Sequence, residues 1–240
     1  MDNEQSLGKI VSLESVKDVE RALTQMENRF LSVCSWINSN CQRSDQSIAL
    51  VNLLSSSAQY IRVASDNLEG HISVCALATR SLYELNVRTR AVLSAHDNML
   101  SWLSEALTDK IQTLEGFMAL NTVRDMTVEH SVLRAEIDRL NALRGKYKLP
   151  TVKKPEDAGA IAPKVGLANE HKALFKLFSK LVHPSSYLTN DYGNAASKEV
   201  RAILQMHAQL YAWDTFGRIC DAQSVPQEIR EANIEIARRV

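Results

Sequence analysis

Two short stretches of this sequence set ionisable groups at helical spacing inside otherwise apolar segments. One is Arg80-Ser-Leu-Tyr-Glu84. The other, about a hundred residues later, is Lys176-Leu-Phe-Ser-Lys-Leu-Val-His-Pro-Ser185. Charged and hydroxyl groups among apolar neighbours need polar partners, so both stretches are candidate sites.

Arg80 and Glu84 are four residues apart and share a helix face. Apolar residues flank them (Cys75 to Ala78, then Leu82, Leu85 and Val87), so part of this face is expected to be buried. A buried Arg demands a carboxylate, and Glu84 can supply it. The pair is then either a structural ion pair pinning neighbouring helices or a guanidinium held ready for a phosphate. In the second stretch Lys176, Ser179 and His183 fall at i, i+3 and i+7, again one face of a helix. Leu174, Phe175, Phe178, Leu181 and Val182 fill the apolar remainder. Histidine switches charge near neutral pH and can act as acid or base. The structural alternative is that Ser179 and His183 hydrogen-bond to Arg80 or Glu84 and only knit the helices together.

The elements that must position these residues are helices. Of 240 residues only 8 are Gly and 5 are Pro, too little turn punctuation for a strand-rich fold. Apolar residues recur every three or four positions instead. The spacing predicts helices over about 15–39, 47–65, 70–94, 97–120, 123–147, 168–183, 195–222 and 226–239. The third is apolar nearly all round through Ile72–Ala78, as befits the centre of a bundle. The fifth carries a narrow seam of Leu133, Ile137, Leu140 and Leu143 among charges, suited to a helical arm or a dimer contact. Residues 148–168 contain three Pro and form the one clear break, an ordered loop or lid. Pro184 should end the sixth helix at His183.

The second motif, with its order and spacing after the first, resembles a group of bacterial helical proteins of unknown function. They carry Arg-Ser-Leu-x-Glu, a Pro-containing loop, then Tyr-Arg-x-Leu-Ser-x-x-Val-His-Pro-Ser. The elements here are Arg80-Ser-Leu-Tyr-Glu84 and Phe175-Lys-Leu-Phe-Ser-Lys-Leu-Val-His-Pro-Ser185. More distantly the chain is similar to the HEPN superfamily of nucleotide-binding helical bundles. Many of these are metal-independent ribonucleases of toxin–antitoxin and phage-defence systems, working as dimers through an Arg, four to six residues, then His. Where that motif has Arg this chain has Lys176, which keeps the charge but lacks the bidentate fork. Arg90/His96, Arg124/His130 and Arg201/His207 also match the bare spacing, which is frequent by chance. Arg124-Asp125…His130 is the best of them, because a polar residue often follows the Arg in that superfamily.

The rest of the sequence bounds these readings. Net charge is zero, split as −4 over residues 1–120 and +4 over 121–240. Between Arg139 and Lys180 stand ten basic residues and three acidic ones, either a solvated face or a surface for an anionic partner. The four cysteines (Cys34, Cys41, Cys75 and Cys220) form no C-x-x-C pair and no zinc spacing. Cys34 and Cys75, in apolar runs, read as buried free thiols of a reducing compartment. No apolar run reaches membrane-spanning length and no signal peptide is apparent, which points to a cytoplasmic protein. Dinucleotide, P-loop, zincin and nucleophile-elbow motifs are absent. No cofactor or metal is expected.

These observations predict an all-α, up-and-down, HEPN-like bundle of about eight helices, a single domain spanning 1–240 with its core at about 46–222. The function expected from the resemblance is engagement of RNA or a nucleotide by a homodimer, with a further protein from the same operon as a candidate partner. If the chain is catalytic, His183 is the acid/base, Lys176 and Arg80 stabilise phosphorane charge, Glu84 orients Arg80 and Ser179 orients His183. The other expectation is a non-enzymatic helical interaction module whose polar residues form a structural network.

Overall fold

Ser15 opens the first helix. Its hydroxyl accepts the Asp18 N–H, satisfying one of the otherwise unbonded N-terminal donors of α1 (Val16–Asn40). The computed structural model describes residues 11–120 and 126–232. Along α1 the residues Val19, Leu23, Met26, Phe30, Val33 and Ile37 repeat at four- and three-residue steps, and all are buried. Ser44 and Ser47 form a reciprocal capping box at the start of α2 (Asp45–Asp66). Leu50, Leu53, Leu54, Ala58 and Ile61 of α2 are buried, and α1 packs along α2.

α3 (Ile72–Ser94) follows, then α4 (His96–Met118) and α5 (Thr127–Lys146). The helices at 123–147 and 226–239 were expected to extend further; Val123 and residues 233–240 lie outside the described residues. Among the described residues there is no strand, and no helix is long and apolar enough to cross a membrane. The chain divides into two compact units, one from the described residues up to Arg90 together with those from Ala158 onward, the other Ala91–Asp157. Nothing in the residue pattern marks the division, which falls inside α3.

In the first unit, residues 158–195 carry more structure than a loop. α6 (Ala158–Ile161) runs into a 3₁₀ turn, Ala162–Val165, that closes at Gly166 with φ +80°, a left-handed position suited to glycine. A continuous helical stretch then comprises α7 (Ala168–Glu170), a π turn at His171–Phe175 and α8 (Lys176–Val182). Two single-turn helices, α9 (Ser186–Asn190) and α10 (Tyr192–Ala195), precede α11 (Lys198–Ala222) and the short α12 (Gln227–Arg230). The expected eight helices thus acquire one-turn additions in segments read from the sequence as loop. α11 packs against α1 and α2. Phe30 and Phe216 lie 5.0 Å apart between ring centres, and Trp213 meets Phe216 edge-on at 5.4 Å.

α3 is the buried helix its composition predicts. Ile72, Cys75, Ala76, Ala78, Leu82 and Tyr83 are all at most 1% exposed, although Leu77 reaches the surface. Two of its interior polar groups, Thr79 and Asn86, are paired, whereas the buried Thr89 hydroxyl has no hydrogen-bond partner among the described residues. Thr79 Oγ1 lies 2.9 Å from the Cys75 carbonyl and 3.2 Å from that of Leu204. Asn86 Nδ2 donates to Asp214 Oδ2 and Thr215 Oγ1, at 2.7 and 3.1 Å. The expected free thiols are present, with Cys34 and Cys75 buried.

In the second unit α4 and α5 pack as a pair. The Leu133–Leu143 seam lies on α5, and its member Leu140 is only 2% exposed, so part of that seam is consumed within the chain. Glu136 joins Lys110 of α4 to Arg139 of α5 at 2.7 and 2.6 Å. Residues 148–157 run as a strap along α4: Ser104, Thr108 and Gln112, one per turn, donate to the carbonyls of Pro150, Val152 and Lys153 at 2.5, 2.9 and 3.1 Å.

Candidate functional site

Arg80 stands at the middle of a constellation in the first unit. Its Nε donates to Glu84 Oε1 at 2.9 Å, one turn on along α3. Its guanidinium carbon lies 4.5 Å from the centre of the Phe175 ring. Its Nη1 lies 3.4 Å from Nε2 of His183. A guanidinium can only donate, so Nε2 is the acceptor and the imidazole proton resides on Nδ1 in this arrangement. Arg80 is 24% exposed at its side chain and His183 is exposed, so solvent reaches the pair.

Local sequence explains where His183 points. Pro184 disfavours helical geometry at the residue before it. His183 therefore leaves the helix with φ −91° and ψ 152°, while its N–H still bonds the Ser179 carbonyl at 3.2 Å. The i, i+3, i+7 face drawn from Lys176 to His183 assumes an unbroken helix, and His183 is not part of one. Lys176 is exposed, Ser179 is half-buried, and neither side chain makes a hydrogen bond or ion pair among the described residues.

Behind Arg80 lies an aromatic layer that the sequence reading did not single out. His171 stacks on Phe175 at 4.4 Å. The hydroxyl of Tyr83 meets Nδ1 of His171 at 3.0 Å, and the Tyr83 ring packs edge-on against Tyr211 at 5.1 Å. Burial, with the Glu170 and Glu84 carboxylates nearby, pushes the Tyr83 phenol up to about 12. Burial and Glu170 raise that of Tyr211 as well. Both phenols therefore stay protonated at neutral pH. The π turn supplies His171 and Phe175, and such turns inside α-helices recur at functional sites. Tyr83, three residues after Arg80, was a legible signal; His171 was not, because a π turn shifts the helical register.

The other Arg–His spacings resolve differently. Arg90 is bound to Asp214 at 3.0 Å and to Asn86 at 3.1 Å, and Asp214 also holds Arg218 at 2.7 Å. His96 is the exposed first residue of α4. Arg201 donates to the carbonyls of Leu68 and Gly70 beyond the end of α2, and His207 Nδ1 lies 2.7 Å from the Ile203 carbonyl. Arg124 lies outside the described residues. Among the described residues no three His, Cys, Asp or Glu side chains group as metal ligands.

A family described as a family of unknown function, DUF5677, matches residues 47–200, more than half of the chain. The chain belongs to DUF5677. The matched span contains Arg80, Tyr83, Glu84, His171, Phe175 and His183, so every member of the Arg80 constellation except Tyr211 falls inside the DUF5677 region. No curated protein and no solved structure matches the chain.

Proposed function

We propose that this DUF5677 chain engages RNA or a nucleotide through Arg80 and His183 and, like the HEPN proteins it resembles, cleaves RNA without a metal ion. The observation that carries this reading is the 3.4 Å approach of a fixed guanidinium to a solvent-reachable imidazole. An incoming phosphodiester displaces His183 from the Nη1 donor and frees the Nε2 lone pair. His183 takes the proton of a ribose 2′-OH, and the 2′-oxygen attacks phosphorus. The P–O5′ bond breaks to leave a 2′,3′-cyclic phosphate and a 5′-alkoxide, which takes a proton from water. Arg80 stabilises the phosphorane charge, and Glu84 and Phe175 keep its plane in place. Ser179 orients His183 through its carbonyl, which accepts the His183 N–H. Lys176, exposed and without a side-chain partner among the described residues, is available to the flanking phosphates.

In this reading the protein acts as a homodimer in a bacterial defence or toxin–antitoxin system, alone or with a partner from the same operon. Val128 and Val132, one turn apart on α5 and 74% and 63% exposed, support a contact of that kind. The test is incubation of the full chain with a broad RNA panel in the presence of a chelator, with mapping of product ends. Cyclic-phosphate termini are expected. An intact panel overturns the ribonuclease.

A second reading is favoured by one observation. Glu84, Phe175 and His183 already hold Arg80 with protein groups alone. A non-enzymatic interaction module needs nothing more, and an intact RNA panel selects it.

A further inference from the structure

The sequence from Arg139 to Lys154 holds six basic residues and no acidic one. In the second unit two of these are engaged. Arg139 pairs with Glu136, and Arg144 donates to Asn141 and to Thr108. The other four are lysines and all are exposed. Lys148, Lys153 and Lys154 have no side-chain partner among the described residues, and Lys146 lies over the Tyr147 ring at 5.4 Å. Tyr147 itself is 59% exposed.

The backbone is built to present these groups. α5 ends in a paired-turn cap in which Lys148 N–H bonds the Gly145 carbonyl at 3.1 Å and Leu149 N–H bonds the Arg144 carbonyl at 3.0 Å. The residue between, Lys148, adopts φ +51°, the left-handed conformation that such caps normally give to glycine. Ser224 takes the same position, φ +50°, in the matching cap of α11. Beyond Lys148, the three side-chain bonds from α4 hold the strap in place and leave its lysines in solvent. Cations without a side-chain partner on a backbone tied to α4, beside an exposed aromatic ring, match what a single-stranded polynucleotide needs. Its phosphates meet the lysines and one base stacks on the ring.

We propose that Tyr147, Lys148, Lys153 and Lys154 form a binding site for single-stranded nucleic acid, separate from Arg80 and His183. The site extends the RNA reading without depending on cleavage.

The experiment is fluorescence anisotropy of the full chain with a labelled oligodeoxythymidylate and oligouridylate of roughly twenty nucleotides each, and a duplex of equal length. The DNA strand has no 2′-OH and cannot be cleaved by the proposed chemistry, so this readout stands whether or not the Arg80 site is a nuclease. Both single strands should bind more tightly than the duplex, with affinity falling as salt rises. The combined variant Lys148→Gly, Lys153→Ala, Lys154→Ala should bind at least about tenfold more weakly and lower the salt slope by about 2. Tyr147→Ala should weaken single-strand binding by about fivefold or more. Lys148→Gly alone should raise the melting temperature while weakening binding, which separates the loss of charge from damage to the fold. Absence of wild-type binding, unchanged affinity in the combined variant, or a duplex bound as tightly as a single strand would each overturn the proposal.

Discussion

Arg80 Nη1 and His183 Nε2 stand 3.4 Å apart although 103 residues separate them in the chain. The contact depends on two local events. Glu84 and Phe175 fix the guanidinium, and Pro184 forces His183 out of the helix toward it. His183 is exposed, so His183→Ala should change stability by less than about 0.5 kcal/mol. Under the ribonuclease reading the same variant loses cleavage. Thermal melts and RNA digestion on this one variant separate the roles, because a structural histidine would lower the melting temperature and leave no activity to lose.

Asn86 should be far less tolerant. It is fully buried and bonds Asp214 and Thr215 while accepting from Arg90. Asn86→Ala should cost about 3 kcal/mol, because it leaves partly buried charged partners without a bond. Urea unfolding measures this, and a loss below about 1 kcal/mol would show that the network relaxes or takes in water.

Thiol reactivity should distinguish the cysteines. Burial pushes Cys34 up to about 12, Cys75 to about 11 and Cys220 to about 12, whereas Cys41 is only half-buried. The thiolate is the reactive form. Titration of the native protein with a disulfide reagent should therefore show one fast thiol, and four after unfolding. Two or more fast thiols in the native state would mean that the α1–α2–α11 core opens readily.

Acid should weaken the α4–α5 pair. Hydrogen bonds from Arg139 and Lys110 hold the Glu136 carboxyl down at about 2, below its ordinary value of 4.5. The folded value is lowered, so the stabilising contribution is complete above about 4.5 and is lost as pH falls toward 2. Melting curves of wild type and Glu136→Gln should differ at neutral pH and converge near pH 2. Salt should narrow the neutral-pH difference, since the cluster is open to solvent. A difference independent of pH would assign the effect to packing instead.

Helix positions were legible because they are local. α1 begins at Ser15 as its spacing indicated, the four–three repeat of α1 is its buried stripe, and the near-continuous apolar run of α3 does mark a buried helix. The pairing of Arg80 with Glu84 was legible for the same reason, since four residues are one helical turn. A contact between His183 and Arg80 was among the alternatives the two motifs offered, and the exit of His183 from its helix was implicit in Pro184. The roles of His171, Phe175, Tyr211 and the strap on α4 were not. A π turn changes helical register by an amount no periodicity records, and Tyr83 meets Tyr211 only through the packing of α3 against α11. Ser104, Thr108 and Gln112 look like ordinary helix-surface polar residues until the carbonyls of Pro150, Val152 and Lys153 are laid beside them. Residue type and spacing thus determined helices, caps and the first ion pair, because those forces act within one or two turns. Tertiary structure decided which polar side chains meet, because hydrogen bonds and ring contacts between distant segments depend on how whole helices pack.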